Sequence, residues 1–268
     1  MKQKKAIAMI LAATLVLGLD GCGAAGNDGG SGNSGTAGGS DEEKVLRVGM
    51  EGTYAPYTYH DDNDKLTGFE VDVANAIGEK MGYKVEFVET EWDSIFEALK
   101  ANNFDVIMNQ VTITDERLET YDFSTPYVYS KPVLIVKADN TDITSFDDIA
   151  GKKAAEGLTS NFNQIAQSYG AEIIGQDKFA LAMECVLSGE ADLTINDELT
   201  YAYWKTLKKD TASKIVAESD DVAASAVLTK KGNDELLEKI NKAIEELLAD
   251  GTIAKISEKY FSIDVSQK

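Results

Sequence analysis

Residues 69–109, FEVDVANAIGEKMGYKVEFVETEWDSIFEALKANNFDVIMN, switch hydrophobic period several times, and the switches decide the fold. Phe69, Val73, Ile77 and Met81 recur every four residues, which predicts a helical face, and Gly82 ends it. VEFVE (85–89) alternates as a strand does. Asp93 is placed to cap the following SIFEALKA, whose Ile95, Phe96 and Leu99 point inward, and FDVIMN (104–109) is the next strand. With VLRVG (45–49) ahead of it the order is βαβαβ, that of a doubly wound α/β domain.

The second half repeats this grammar. KKAAEG (152–157) predicts a strand, FNQIAQSYG (162–170) a helix with Phe162, Ile165, Ala166 and Tyr169 on one side, and AEII (171–174) another strand. Residues 178–188 predict a helix closed by Gly189, and ADLTIND (191–197) a further strand. LKANNFDVIMNQ (99–110) and LSGEADLTIND (187–197) match each other: a helix end, a polar turn, Asp, an apolar strand, then Asn and a second polar residue. Two topologically alike lobes would produce that similarity. Ligands in open α/β sheets sit outside the carboxyl ends of strands, so Gln110 and Asp197 are expected to face each other across a cleft. The C-terminal stretch 233–261 is amphipathic, with Leu236, Ile240, Ile244, Leu247 and Leu248 before a break at Gly251, and is expected to pack on a lobe.

Ahead of this lies a segment with a different purpose. MKQKK is followed by AIAMILAATLVLGL, a basic start and an apolar run short of the roughly 20 residues of a membrane span, as in a secretory signal. Leu19-Asp20-Gly21-Cys22 resembles a bacterial lipobox, with Asp20 where a small or apolar residue is usual; the resemblance implies that Cys22 is lipidated and begins the mature chain. GAAGNDGGSGNSGTAGGS (23–40) is too polar and glycine-rich to order itself and reads as a tether.

Composition excludes several functions. Lys and Arg number 26 against 46 Asp and Glu, a net charge of −20, and removing the signal with Lys2, Lys4, Lys5 and Asp20 makes the mature chain more acidic still. Such a surface repels nucleic acid and anionic headgroups. Beyond Cys22 the sole cysteine is Cys185, a buried-thiol candidate on a helical face, so no intrachain disulfide is expected. The single histidine, His60, sits in a polar turn and leaves no His-based metal site or Ser-His-Asp triad.

One cation is out of place. In NQVTITDER (109–117) Thr114 reads as a helix N-cap, yet the capping-box position for Glu or Gln holds Arg117, facing the positive end of the helix dipole. A guanidinium there makes sense if an anion comes to it, since it is the best bidentate partner for a carboxylate. Thr159, Ser160 and Asn161 precede another expected helix, where free N–H groups offer a second anion site. Asp197 is placed either to neutralise a ligand ammonium, with Gln110 as a neutral acceptor beside it, or simply to cap the helix beginning near Glu198.

"EGTYAPYTY", "GFEVDVANAI", "EWDSIFEALKANNFDVIMNQVTITDER", "YDFSTPY", "LTSNF" and "INDELTYAYW" occur in this order over residues 44–264. Together they resemble the substrate-binding lipoproteins of polar amino-acid ABC transporters, most nearly the cystine-binding group. The resemblance implies two doubly wound α/β lobes joined by a two-strand hinge, the type II periplasmic-binding-protein fold. Signal peptide 1–21, lipidated Cys22 and tether 22–43, first lobe 44–135 plus 224–268 and second lobe 136–223 follow, with hinge strands near 133–137 and 222–228. It implies that Arg117, with Thr112 and the Val111–Thr112 backbone, holds an amino acid's α-carboxylate, and that Asp197 holds its α-ammonium. Glu51, Tyr54 and Trp92, with Phe162 as a further candidate, then meet the ligand side chain; Glu51 favours a distal donor or cation, which cystine carries in its second ammonium group and which a basic amino acid or glutamine also carries.

The implied partners are cystine or another polar amino acid, a membrane permease of the transporter, and the membrane through the lipid anchor, at the outer face of the bacterial cell membrane. A monomer with no cofactor, no metal, no nucleic acid and no catalysis is expected. Two other functions fit the same residues: a dehydratase of this fold acting on prephenate or arogenate with Glu51 as its acid or base, and a module that reports ligand to a receptor.

Overall fold

Two five-stranded sheets organise the computed structural model, which describes residues 43–268. The signal peptide, Cys22 and nearly all of the tether lie outside the described residues. In the first sheet the strands run in the order Lys84–Glu89, Val45–Met50, Val106–Ile107, Leu228–Lys230, Tyr121–Phe123. The first three are parallel, and Leu228–Lys230 is antiparallel to both of its neighbours. The second sheet has the order Glu172–Gly175, Lys153–Glu156, Leu193–Asp197, Pro132–Lys137, Ser213–Glu218, again a parallel triplet followed by an antiparallel strand. These are two lobes of one plan, as the internal sequence similarity predicts.

Helical periods become helices for the expected reason: one stripe of each must be buried. Phe69–Met81 buries Phe69, Val73, Ala74 and Ile77, and ends at Gly82, whose φ of 66° is the left-handed C-cap that glycine tolerates. Its core is shared with Ile240, Ile244 and Leu247 of helix Asp234–Ala249, so the C-terminal helices pack on the first lobe. Gly68, just before the Phe69 helix, has φ 133°, and a β-carbon there would lie 2.1 Å from the Tyr57 carbonyl oxygen. The second lobe closes its own core around Leu134, Val136, Ile149, Leu193 and Ile195. No helix among the described residues is long and apolar enough to cross a membrane.

Three expectations are corrected. Residues 133–137 are not a hinge: Pro132–Lys137 is an interior strand of the second sheet, paired on both sides, with Val133 to Val136 fully buried. A boundary at 135/136 would cut through it. The strand that pairs with Ala223–Ser225 is Val128–Ser130, and this separate two-stranded ribbon lies between the stretches that feed the two sheets. Asp93 is not a helix cap either. The helix spans Trp92–Lys100 from Glu91, and the Asp93 carboxylate instead accepts from Thr159 of the second lobe, N–H at 3.2 Å and Oγ1 at 3.1 Å. His60 is exposed as expected, but ends the short strand Thr58–His60, where its Nε2 meets Glu89 at 2.9 Å.

Candidate functional site

Carboxyl ends of strands from both sheets converge on one cavity of about 60 Å³ between the lobes. The first lobe contributes Glu51, Tyr54, Trp92, Asn109 and Gln110. The second contributes Glu156, Ser160, Asn161, Asp177 and Asn196, among others. The lobes are bonded across it: Tyr54 Oη donates to Asn196 Oδ1 at 2.9 Å, Tyr57 Oη to Asp197 Oδ1 at 3.0 Å, and Gln110 Nε2 to Asp197 Oδ2 at 2.9 Å.

Six expected site residues therefore share the wall: Glu51, Tyr54, Trp92, Gln110, Ser160 and Asn161. Phe162 lies there too. Val111, Thr112, Arg117, Thr159 and Asp197 are not on it. Val111 is core, its carbonyl accepting from Ala226 N–H at 3.2 Å. Ser160 caps its helix by accepting from Phe162 N–H at 3.1 Å.

Arg117 sits immediately behind the wall. Thr114 caps the short helix Asp115–Thr120, as expected, by accepting from Arg117 N–H at 3.2 Å. The guanidinium turns away from solvent, with 8% of the residue exposed. Nη1 donates to Thr112 O at 2.9 Å and Nη2 to Thr159 O at 3.4 Å in the other lobe, while the rings of Trp92 and Phe96 lie 5.5 and 5.4 Å away. Among the described residues it forms no ion pair with a carboxylate. Burial lowers its pKa to about 10, which leaves it a cation at neutral pH. An unpaired buried cation is costly, and carbonyls and aromatic faces offset only part of the cost.

Asp197 is occupied. It caps helix Glu198–Lys208 through Leu199 and Thr200 N–H groups at 3.0 and 3.1 Å, and its further donors include Tyr57 and Gln110 from the first lobe. The capping alternative thus describes its position here, and the residue is 1% exposed. Burial pushes its carboxyl up, against donors including Ser130, Thr200 and Tyr57 that favour the ionised form. Gln110 donates to it through its side-chain amide N–H. The Gln110 backbone has φ 54°, a left-handed conformation unusual outside glycine, and its N–H is held by Glu70 Oε1 at 2.6 Å.

The sequence profile of the bacterial extracellular solute-binding proteins, family 3, matches residues 46–263. The chain belongs to this family. The L-cystine-binding protein TcyA of Bacillus subtilis (strain 168) is 41% identical over 98% of this chain and 100% of its own length. An ancestral arginine-binding protein bound to arginine superposes with a TM-score of 0.77 at 38% identity, covering 82% of this chain and 99% of that one. The L-cystine solute receptor of Neisseria gonorrhoeae, in its unliganded open conformation, gives 0.57 at 43% identity, covering 85% and 97%. In this solute-binding protein the two lobes are bonded to each other across the cleft, a closed arrangement.

Several wall residues of this solute-binding protein escape sequence reading. Asn109, 2% exposed, holds Glu51 at both ends: its Oδ1 accepts from Glu51 N–H at 2.9 Å and its Nδ2 donates to Glu51 Oε2 at 2.6 Å. Asn196 answers it from the other lobe, and the matched segments 99–110 and 187–197 already pair the two. Glu156, ending its strand, accepts from Ile195 N–H at 2.6 Å, and burial pushes its carboxyl well up. Glu51 is raised to about 7, chiefly by burial, with Asp177 adding to the rise and Asn109 opposing it. Asp177 had no signal beyond its place after an expected strand. Among the described residues no group of side chains is arranged to hold a metal ion.

Proposed function

We propose that this chain captures an amino acid, cystine foremost, between its lobes outside the cytoplasm and hands it to the permease of an ABC transporter. The observation that carries the reading is Arg117: a buried guanidinium without a carboxylate partner among the described residues, one aromatic ring behind an inter-lobe cavity. Stability alone gives no reason to keep such a group. A ligand α-carboxylate is the partner it lacks, with Thr112 beside it. Asp197 takes the α-ammonium, displacing the Gln110 amide, and a charge-assisted bond of that kind is worth about 1.5–3 kcal/mol.

Binding needs the lobes to part first. A cavity of about 60 Å³ accommodates a few waters, fewer atoms than cystine contains. The Val128–Ser130 and Ala223–Ser225 ribbon is the hinge in this reading, dividing the chain near residues 131 and 222. The ligand then favours the closed state by bridging both lobes. Tyr54, Trp92, Ser160 and Asn161 enclose its side chain. Secretion, attachment at the outer face of the membrane through a lipidated Cys22, and action as a monomer belong to the same proposal. The names of the relatives, a cystine-binding protein, a cystine receptor and an arginine-binding protein, favour capture over catalysis.

Calorimetry on Arg117→Ala tests it. Loss of cystine and amino-acid binding with an unchanged circular dichroism spectrum is expected. Retained micromolar affinity would overturn the assignment of Arg117.

A further inference from the structure

Glu51 and Asp177 share the cavity wall but come from opposite lobes. Glu51 follows strand Val45–Met50 of the first sheet, and Asp177 follows strand Glu172–Gly175 of the second. Each is only partly satisfied. Glu51 Oε2 has the Asn109 amide, and Asp177 Oδ1 accepts from the Asp93 N–H at 3.0 Å, itself a bond between lobes. Asp177 Oδ2 is buried with no hydrogen-bond partner. On the same wall Trp92, 9% exposed, keeps its Nε1–H buried and equally unpartnered. Buried polar atoms are bonded in the great majority of cases, so an acceptor and a donor left open on one cavity wall point to a ligand that answers both.

Charge makes the same argument. Burial raises both carboxyls; Asp177 adds to the rise at Glu51, and Asp93 and Glu91 add to the rise at Asp177. Lys178, next in the chain, draws both down but forms an ion pair with neither among the described residues. Glu156 is a different case, since its oxygen is held by its own sheet through Ile195 and Thr194. A cation set between Glu51 and Asp177 turns one repulsion into two attractions, one to each lobe.

We infer that Glu51 and Asp177 form a clamp for a protonated nitrogen at the far end of an amino-acid ligand, coupling lobe closure to that nitrogen. The inference rests on the capture reading above and narrows its ligand class to amino acids with a second cationic group. Two such groups share this chemistry, the second ammonium of cystine and the guanidinium of arginine. The open Trp92 Nε1–H separates them: the second head group of cystine also brings a carboxylate to accept it, and a guanidinium brings none.

Two ligand pairs test the clamp by calorimetry: cystine against the mixed disulfide of cysteine with 3-mercaptopropionate, and arginine against citrulline. Within each pair only the distal cation is lost. Asp177→Asn keeps an oxygen for the Asp93 N–H and removes the charge. It is expected to weaken the cationic member about 10- to 100-fold more than the neutral one, and Glu51→Gln is expected to do the same. Thermal melting of each variant reports whether it folds. Equal losses in both members, or no loss in either, would overturn the clamp while leaving the capture reading intact. If the wild type binds no amino acid at all, both fail together. Preference for cystine over arginine that shrinks in Trp92→Phe assigns the distal group to an amino-acid head; an unchanged preference contradicts that part.

Discussion

Gln110 of the first lobe donates its side-chain amide to Asp197 of the second at 2.9 Å, across the cleft. The same carboxylate takes Tyr57 from the first lobe and two N–H groups from its own helix. Asp197 is therefore a junction between lobes as well as a cap, and under the proposed function a ligand ammonium would compete with the Gln110 amide for one oxygen.

Asp197→Asn separates these roles. The amide oxygen can still accept from the helix N–H groups, so the cap survives and melting falls by only a few degrees. A ligand ammonium loses a charged acceptor, and affinity is expected to drop by about 10- to 100-fold in calorimetry. Affinity within twofold of wild type would show that Asp197 is structural alone.

Gly68 has a stricter requirement. Its φ of 133° is accessible to glycine, and an added β-carbon would meet the Tyr57 carbonyl at 2.1 Å. Both neighbours are fixed, because Phe69 and Glu70 N–H groups donate to Pro56 and Tyr57 carbonyls at 3.0 Å. Gly68→Ala is expected to cost about 2–4 kcal/mol in denaturant unfolding, combining strain and overpacking. A loss under about 0.5 kcal/mol, within the range of ordinary surface changes, would contradict this.

Much of the fold and part of the site can be read from the sequence, and the failures share a cause. Helices such as Phe69–Met81 declare themselves because one stripe must be buried, and paired motifs at 99–110 and 187–197 place Gln110 opposite Asp197. VLIVK was expected at the hinge, yet four fully buried positions in a row are what an interior strand needs. The true ribbon strand, VYS at 128–130, is too short to show a period. Asp93 resembles a cap locally, but Thr159 in the other lobe claims its carboxylate. Asp177 sits in a polar turn that looks solvated until the second lobe is brought over the first.

Glu70 ties stability to pH. It is fully buried, with Oε1 accepting from Gln110 N–H and Oε2 from Tyr127 Oη, both at 2.6 Å. Burial raises its pKa from 4.5 to about 7. Between those values the folded state binds more protons than the unfolded one, so this group's contribution to stability falls as pH rises through the window. The swing is on the order of 2–4 kcal/mol. In Glu70→Gln both bonds can persist, the oxygen accepting from Gln110 and the amide donating to Tyr127. The variant is expected to gain stability relative to wild type progressively from pH 5 to pH 8. A difference that stays constant with pH would mean that Glu70 titrates like an ordinary carboxylate.

Under the proposed clamp, Glu51 would bring the same chemistry to ligand binding. With its pKa raised to about 7, chiefly by burial, it is substantially protonated at neutral pH. A distal cation between Glu51 and Asp177 favours the ionised form and lowers that pKa, so binding must expel protons. Affinity for a cationic ligand should then rise with pH through about 6 to 8, while a ligand with a neutral tail shows a weaker dependence. Proton release is measurable without a pH series, because the observed binding enthalpy at pH 7 includes the ionisation enthalpy of the buffer that takes up the proton. Cystine enthalpies in phosphate and in Tris should differ, with the slope giving a fraction of one proton released, and Glu51→Gln should reduce that slope. Equal enthalpies in the two buffers would mean that the carboxyl at position 51 is already ionised before the ligand arrives, or that the ligand leaves it untouched.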